Sequence, residues 1–119
     1  TFHFSFCIIN MRKQEEVAMS SESAKKIYLE QLIQIHQDLS HRYEQIEASV
    51  NSVPESRRDA VLEELAQLRE ALNTLRLRIR RYRITTEPYN NVVRSIFDDL
   101  ITGVRKKTDS VRSSISSHA

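Results

Sequence analysis

From Tyr28 onward, apolar residues recur at Tyr28, Leu32, Ile35, Leu39, Tyr43, Ile46, Val50 and Val53, in steps of 4, 3, 4, 4, 3, 4 and 3. Steps of three and four keep a side chain on one face of an α-helix. Glu30, Gln34, Gln37, Asp38, Glu44 and Glu47 fill the opposite face. Ser21 or Ser23 offers a capping hydroxyl at the start. The pattern predicts a first helix over about residues 22–51.

The next pattern is stricter. Val61, Leu65, Leu68, Leu72, Leu75, Ile79 and Tyr82 follow one another in alternating steps of 4 and 3. A mean period of 3.5 residues is the signature of coiled-coil-like packing against another helix. Upstream, Ser52 and Glu55 have the S-x-x-E spacing of a capping box, with Pro54 placed for a first helical turn. A second helix is predicted over 53–84.

Inside it, LRLRIR at 75–80 alternates apolar and basic residues as a β-strand would. The heptad decides for helix, because Leu75, Ile79 and Tyr82 continue the stripe that begins at Val61. At about 100° per residue, Arg76, Arg78, Arg80, Arg81 and Arg83 spread over the remaining surface. Leu77 falls on the far side, where it marks a possible second interface.

Pro88 disfavours a helical Glu87. Thr85 or Thr86 then serves as the next cap, with Pro88 in the first turn. The third stripe reads Tyr89, Val92/Val93, Ile96, Leu100, Val104, Lys107, Val111, Ile115 and predicts a helix over 86–112. Gly103 lies within it and points to a close helix–helix contact or a bend. Residues 1–18 read as a flexible or fragmentary flank, with MSSES at 19–23 an ordinary start. Residues 113–119 read as a frayed Ser-rich tail. With short connections, helices over 19–112 form an all-α, antiparallel three-helix bundle.

Composition narrows the function. The chain has one glycine and two prolines in 119 residues, too few for the turns and ligand loops of most β and α/β folds. The single cysteine, Cys7, excludes an intrachain disulfide scaffold and fits a reducing compartment. No apolar run approaches the roughly 20 residues of a membrane span. A net charge of +2 is low for a nucleic-acid module, so any such binding would need a local patch.

Chemical constellations are sparse. Glu63–Glu64 and Asp98–Asp99 are sequence neighbours that diverge around a helix and read as solvated faces. His36 and His41 are five apart, a poor spacing for one metal. His3 and Cys7 stand four apart in the flank. No metal, nucleophile or phosphate-loop motif occurs, so no enzyme and no cofactor is expected. Phosphorylation of Ser113, Ser114, Ser116 or Ser117 would place negative charge beside Lys106, Lys107 and Arg112.

The arginines carry the remaining signal. No acid lies between Glu70 and Glu87, so Arg76, Arg78, Arg80, Arg81 and Arg83 form a locally basic segment. It reads as a solvated helix end favoured by the macrodipole, with Glu22 and Glu30 of the first helix as nearby acids. It also reads as a docking surface for an acidic partner, or as a small-anion site. Without surface aromatics for stacking bases, nucleic acid is the weaker partner.

LEQLIQIHQDLSHRYEQIEASV followed by LEELAQLREALNTLRLRIRR resembles the small helical subunits of the Ska kinetochore complex. That resemblance spans about 28–107, departs at Glu87–Pro88, and implies an intertwined subunit connected to the cytoskeleton. The overall shape is also similar to BAG-type cochaperone bundles, which implies an Hsp70 partner. LRLRIRRYRITTEPYNNVVRSIFDDLI resembles the closing helices of nitrate-sensing bundles, which implies anion binding through arginines. That family's E-R-G is replaced here by Gln14-Glu15-Glu16-Val17. The expected role is a non-enzymatic protein–protein interaction module, an intracellular (cytoplasmic or nuclear) subunit or adaptor. Self-association or a partner helix would complete it, with Arg76, Leu77, Arg78, Arg80, Arg81 and Arg83 as the candidate surface.

Overall fold

Every residue of the heptad stripe from Val61 to Tyr82 is buried, and Leu68 and Leu75 are fully enclosed at 0% exposure. This stripe organises the chain. The computed structural model describes the backbone of residues 2–116 and the side chains of 22–116. Its elements are α1 (Phe2–Ala48), a single 3-10 turn (Val50–Ser52), α2 (Glu55–Ile84) and α3 (Asn91–Ser116). Short links make successive helices antiparallel, and α2 packs against both α1 and α3. The fold is an all-α three-helix bundle. α1 begins at Phe2, before the expected 22; the expectations placed on His3 and Cys7 and on residues 117–119 lie outside the described side chains.

The first two stripes meet as the pattern predicts. Leu32 and Leu39 of α1 join Leu68, Leu72, Leu75, Ile79 and Tyr82 of α2 in one core cluster. Ile46, Val50 and Val53 join Val61, Leu65, Val111 and Ile115 in a second, and Tyr43 packs against both. His36 ties the pair further, with Nε2 3.1 Å from the carbonyl oxygen of Leu72.

The α1–α2 link differs from expectation. α1 ends at Ala48 rather than 51, and α2 begins at Glu55 rather than 53. Burial of Val50 and Val53 pulls the link into a 3-10 turn. Ser52 then turns back, its hydroxyl donating to Ser49 O at 2.6 Å. No capping box forms, and Pro54 is the extended cap residue (ψ 142) instead of the first helical residue. Glu55 supplies the negative charge that suits a helix N-terminus.

α3 also starts later, at Asn91 instead of 86. Its cap is Asn90, whose Oδ1 accepts the Val93 N–H at 2.9 Å. Thr85 is occupied elsewhere: its hydroxyl donates to Tyr82 O at 2.9 Å and closes α2. Pro88 therefore lies in the link, not in the helix. The core stripe of α3 is Val93, Phe97, Ile101, Val104, Thr108, Val111 and Ile115. Phe97, Ile101 and Thr108 replace the expected Ile96, Leu100 and Lys107 because Val93, not Val92, faces inward and sets the register. Thr108 is tolerated in the core because its hydroxyl donates to Val104 O at 2.8 Å. The helix continues to Ser116, past the expected 112, and its last turns bury Val111 and Ile115.

Gly103 makes no close contact within the chain, and α3 runs through it as one continuous helix. A Cβ built there meets no atom within 4 Å. A mid-helix glycine costs about 1 kcal/mol relative to alanine, and nothing in the bundle's own packing requires that cost.

Candidate functional site

The arginine segment forms the last three turns of α2. The wheel is as the spacing dictates: Leu75, Ile79 and Tyr82 point inward, while Arg76, Leu77, Arg78, Arg80, Arg81 and Arg83 are exposed. Leu77, flagged as a second interface, is 48% exposed on the outer side.

The expected acids do not neutralise this segment. Arg76 donates within its own helix to Asn73 Oδ1 at 2.9 Å. Arg78, Arg80, Arg81 and Arg83 have no ion-pair partner among the described residues. Instead of Glu22 or Glu30, α1 brings a further cation, Lys25, to this end. Its Nζ donates to Thr85 O at 2.8 Å and Glu87 O at 2.7 Å, and lies 4.4 Å from the Tyr82 ring centroid. The lysine fastens the α2–α3 link to α1.

Behind the link lies an aromatic cluster. Tyr28 of α1 is 4.7 Å from Tyr89 and 6.1 Å from Phe97, centroid to centroid, and Phe97 is 5.7 Å from Tyr82. The Tyr28 and Tyr82 hydroxyl oxygens are buried without a hydrogen-bond partner. Burial, reinforced by the Asp98 charge and by Tyr89, pushes the Tyr28 hydroxyl up to about 12. Burial likewise raises Tyr82, assisted by Glu87 and Tyr89. Both are neutral packing residues in the physiological range.

Sequence reasoning missed three exposed aliphatic residues beside the arginines. Ile84 is 80% exposed, Val92 66% and Ile96 44%. Ile84 falls two residues beyond Tyr82 and so off the heptad, which is a legible signal. Val92 and Val93 are adjacent, and only one of two neighbours can face the core.

Between α2 and α3, Arg78 and Arg81 edge a cleft of about 300 Å³. Its walls are Tyr82, Thr85, Glu87, Val93, Ile96 and Phe97. Arg76, Arg80 and Arg83 do not line it. The Glu87 carboxylate opposes a small anion there, and the arginines do not enter the bundle interior. Among the described side chains that interior is aliphatic and aromatic, with Thr108 its buried polar member. A second cleft of about 430 Å³ lies further along the same helices, lined by Gln67, Glu70, Ala71, Thr74, Asp99, Leu100, Gly103, Val104 and Lys107.

The other groups have structural settings. Glu64 accepts from Ser114 Oγ at 3.1 Å, joining α2 to α3. Asp98 lies 3.9 Å from Arg94, while Asp99 borders the second cleft, so the neighbouring acids diverge as helical geometry requires. His41 lies 4.0 Å from Glu44, one turn from His36 and on a separate contact. Among the described residues, no helix is long and apolar enough to cross a membrane. No protein-family model, curated protein or solved structure matches the chain.

Proposed function

We propose that this chain is a non-enzymatic protein–protein interaction module, a helical subunit or adaptor of a larger intracellular assembly. The cytoskeletal kind, which its heptad spacing resembles, is the form we favour. One observation carries the reading. At the end of α2, Ile96 is exposed in the cleft edged by Arg78 and Arg81, Leu77 and Ile84 are exposed on the outer side of the helix, and Arg78, Arg80, Arg81 and Arg83 are paired by no carboxylate of the described residues. Scattered surface leucines are ordinary; exposed aliphatic groups beside unpaired arginines suit a binding surface. Covering them would contribute roughly 25 cal/mol per Å² of apolar area removed from water.

The test is affinity purification of the tagged full chain from cells that produce it, beside the double variant Arg78→Glu/Arg81→Glu. The reading expects proteins retained by the wild type and lost by the variant, with both showing the same thermal unfolding. Retention that is equal for both, or none above a tag-only control, would refute it.

A further inference from the structure

The two clefts between α2 and α3 follow one another along the same faces of both helices. The α2 lining residues descend from Tyr82 through Arg78 and Thr74 to Gln67, while those of α3 ascend from Val93 through Ile96 and Leu100 to Lys107. Antiparallel helices place these in register. At 1.5 Å per residue, the α2 side is roughly 22 Å long, about four helical turns.

The floor suits another backbone. Ala71, Thr74 and Gly103 leave it low, and Ile96 and Leu100 give it apolar surface. Gly103 is the sole glycine of the chain, and its own bundle gives it no neighbour within 4 Å of a Cβ. A glycine that internal packing does not need leaves room for close approach from outside.

The rims state the charge of the occupant. Arg78 and Arg81 border one end without ion-pair partners among the described residues, with Glu87 the one acid that lines the cleft beside them, so that end is net basic. Glu70, Asp99 and Lys107 border the other, a nearly balanced set. A bare polyanion would use the arginines but leave the aliphatic floor uncovered. A second copy across a two-fold axis would set Arg78 and Arg81 toward Glu70 and Asp99, where Lys107 offsets one of the two acids; a partner helix free to carry several acids complements the basic end more fully.

We propose that the α2–α3 groove receives an amphipathic helix of a partner protein, with its aliphatic stripe on Ile96, Leu100 and Gly103 and acidic residues over Arg78 and Arg81. The occupant is the fourth helix of a four-helix arrangement. This rests on the interaction-module reading and gives it a site and a partner chemistry.

The probe is a fluorescein-labelled, lactam-stapled peptide of four helical turns. It carries leucines along one face and glutamates flanking them in two turns. A second peptide has lysine for each glutamate. Anisotropy titrations against the full chain should show the glutamate peptide binding about tenfold tighter or more. Arg78→Glu/Arg81→Glu should reverse that preference. Gly103→Leu should weaken the glutamate peptide by about tenfold while thermal unfolding stays at or above the wild-type midpoint, since the added side chain enters open space. The proposal is overturned if the peptides bind equally, if the glutamate peptide does not bind, or if Gly103→Leu leaves its affinity unchanged. Binding that only Leu77→Glu abolishes would also overturn the groove, yet would keep the interaction-module reading on the outer face of α2. A failed titration combined with no specific retention in the affinity purification would remove both.

Discussion

Lys25 of α1 holds Thr85 at the end of α2, with Nζ donating to the Thr85 carbonyl at 2.8 Å. The same ammonium reaches Glu87 O at 2.7 Å and lies over the Tyr82 ring. Three elements therefore meet at one charge. Lys25→Gln removes the charge and the cation–π contact. The contacts are exposed, so the loss should be modest, about 1 kcal/mol. That corresponds to a fall of roughly 4–8 °C in the unfolding midpoint of a domain this size. Calorimetry checks it, and amide exchange should show faster opening in residues 85–90. An unchanged midpoint and unchanged exchange would mean the clamp contributes nothing.

Tyr28 gives an alkaline signature. Its hydroxyl titrates at about 12 instead of 10.0, because burial first and the Asp98 charge second disfavour the phenolate. A raised folded value means the stability it contributes is complete below about pH 10 and is lost as the pH rises through about 12. Tyr28→Phe should flatten the fall in urea midpoint across that window. It also deletes a buried hydroxyl without a partner, so at neutral pH the variant should match or exceed the wild type. A Phe variant with the wild-type alkaline slope would contradict the assignment.

Asn90 should matter where Thr86 does not. The Asn90 Oδ1 accepts the Val93 N–H, so Asn90→Ala should cost about 0.5–2 kcal/mol. Thr86→Ala should change stability by less than about 0.5 kcal/mol, as at an uninvolved surface site. Chemical denaturation of the two variants separates a helix beginning at Asn91 from one beginning near residue 86.

Gly103→Ala should stabilise the isolated chain by about 0.5–1 kcal/mol, because the new methyl meets nothing and the unfolded chain loses freedom. The urea midpoint measures it. A loss of stability would reveal a packing constraint at Gly103 within the chain.

The sequence made α2 legible because heptad spacing and burial coincide from Val61 to Tyr82. The first stripe was legible too: Leu32, Leu39 and Ile46 of α1 are buried, Tyr28, Ile35 and Tyr43 half-buried, and Val50 and Val53 carry the stripe into the link. In α3, Val93, Val104, Val111 and Ile115 are buried as the stripe expects, while Ile96, Leu100 and Lys107 were each one position short of the buried Phe97, Ile101 and Thr108. Val92 and Val93 leave two starting registers open, and Ile96 lies one turn from either. The polar Thr108 further disguised the true stripe, since its i−4 hydrogen bond is a local contact that hydropathy does not reveal. The arginines were visible as a cluster, but their lack of acidic partners among the described residues was not, because it depends on which α1 residue reaches that end. The groove has the same origin: Ala71 and Gly103 are far apart in sequence and meet only through the α2–α3 pairing.

The central claim is that one chain closes this bundle and leaves its arginine-edged end for a different protein. Light scattering of the full chain alone, over a concentration series, tests it most directly. The account predicts a monomer of 13.9 kDa at every concentration, because the groove is assigned to a helix of a different protein. A concentration-dependent dimer that Ile96→Glu dissolves would contradict it, since a second copy would then be the cover for that end.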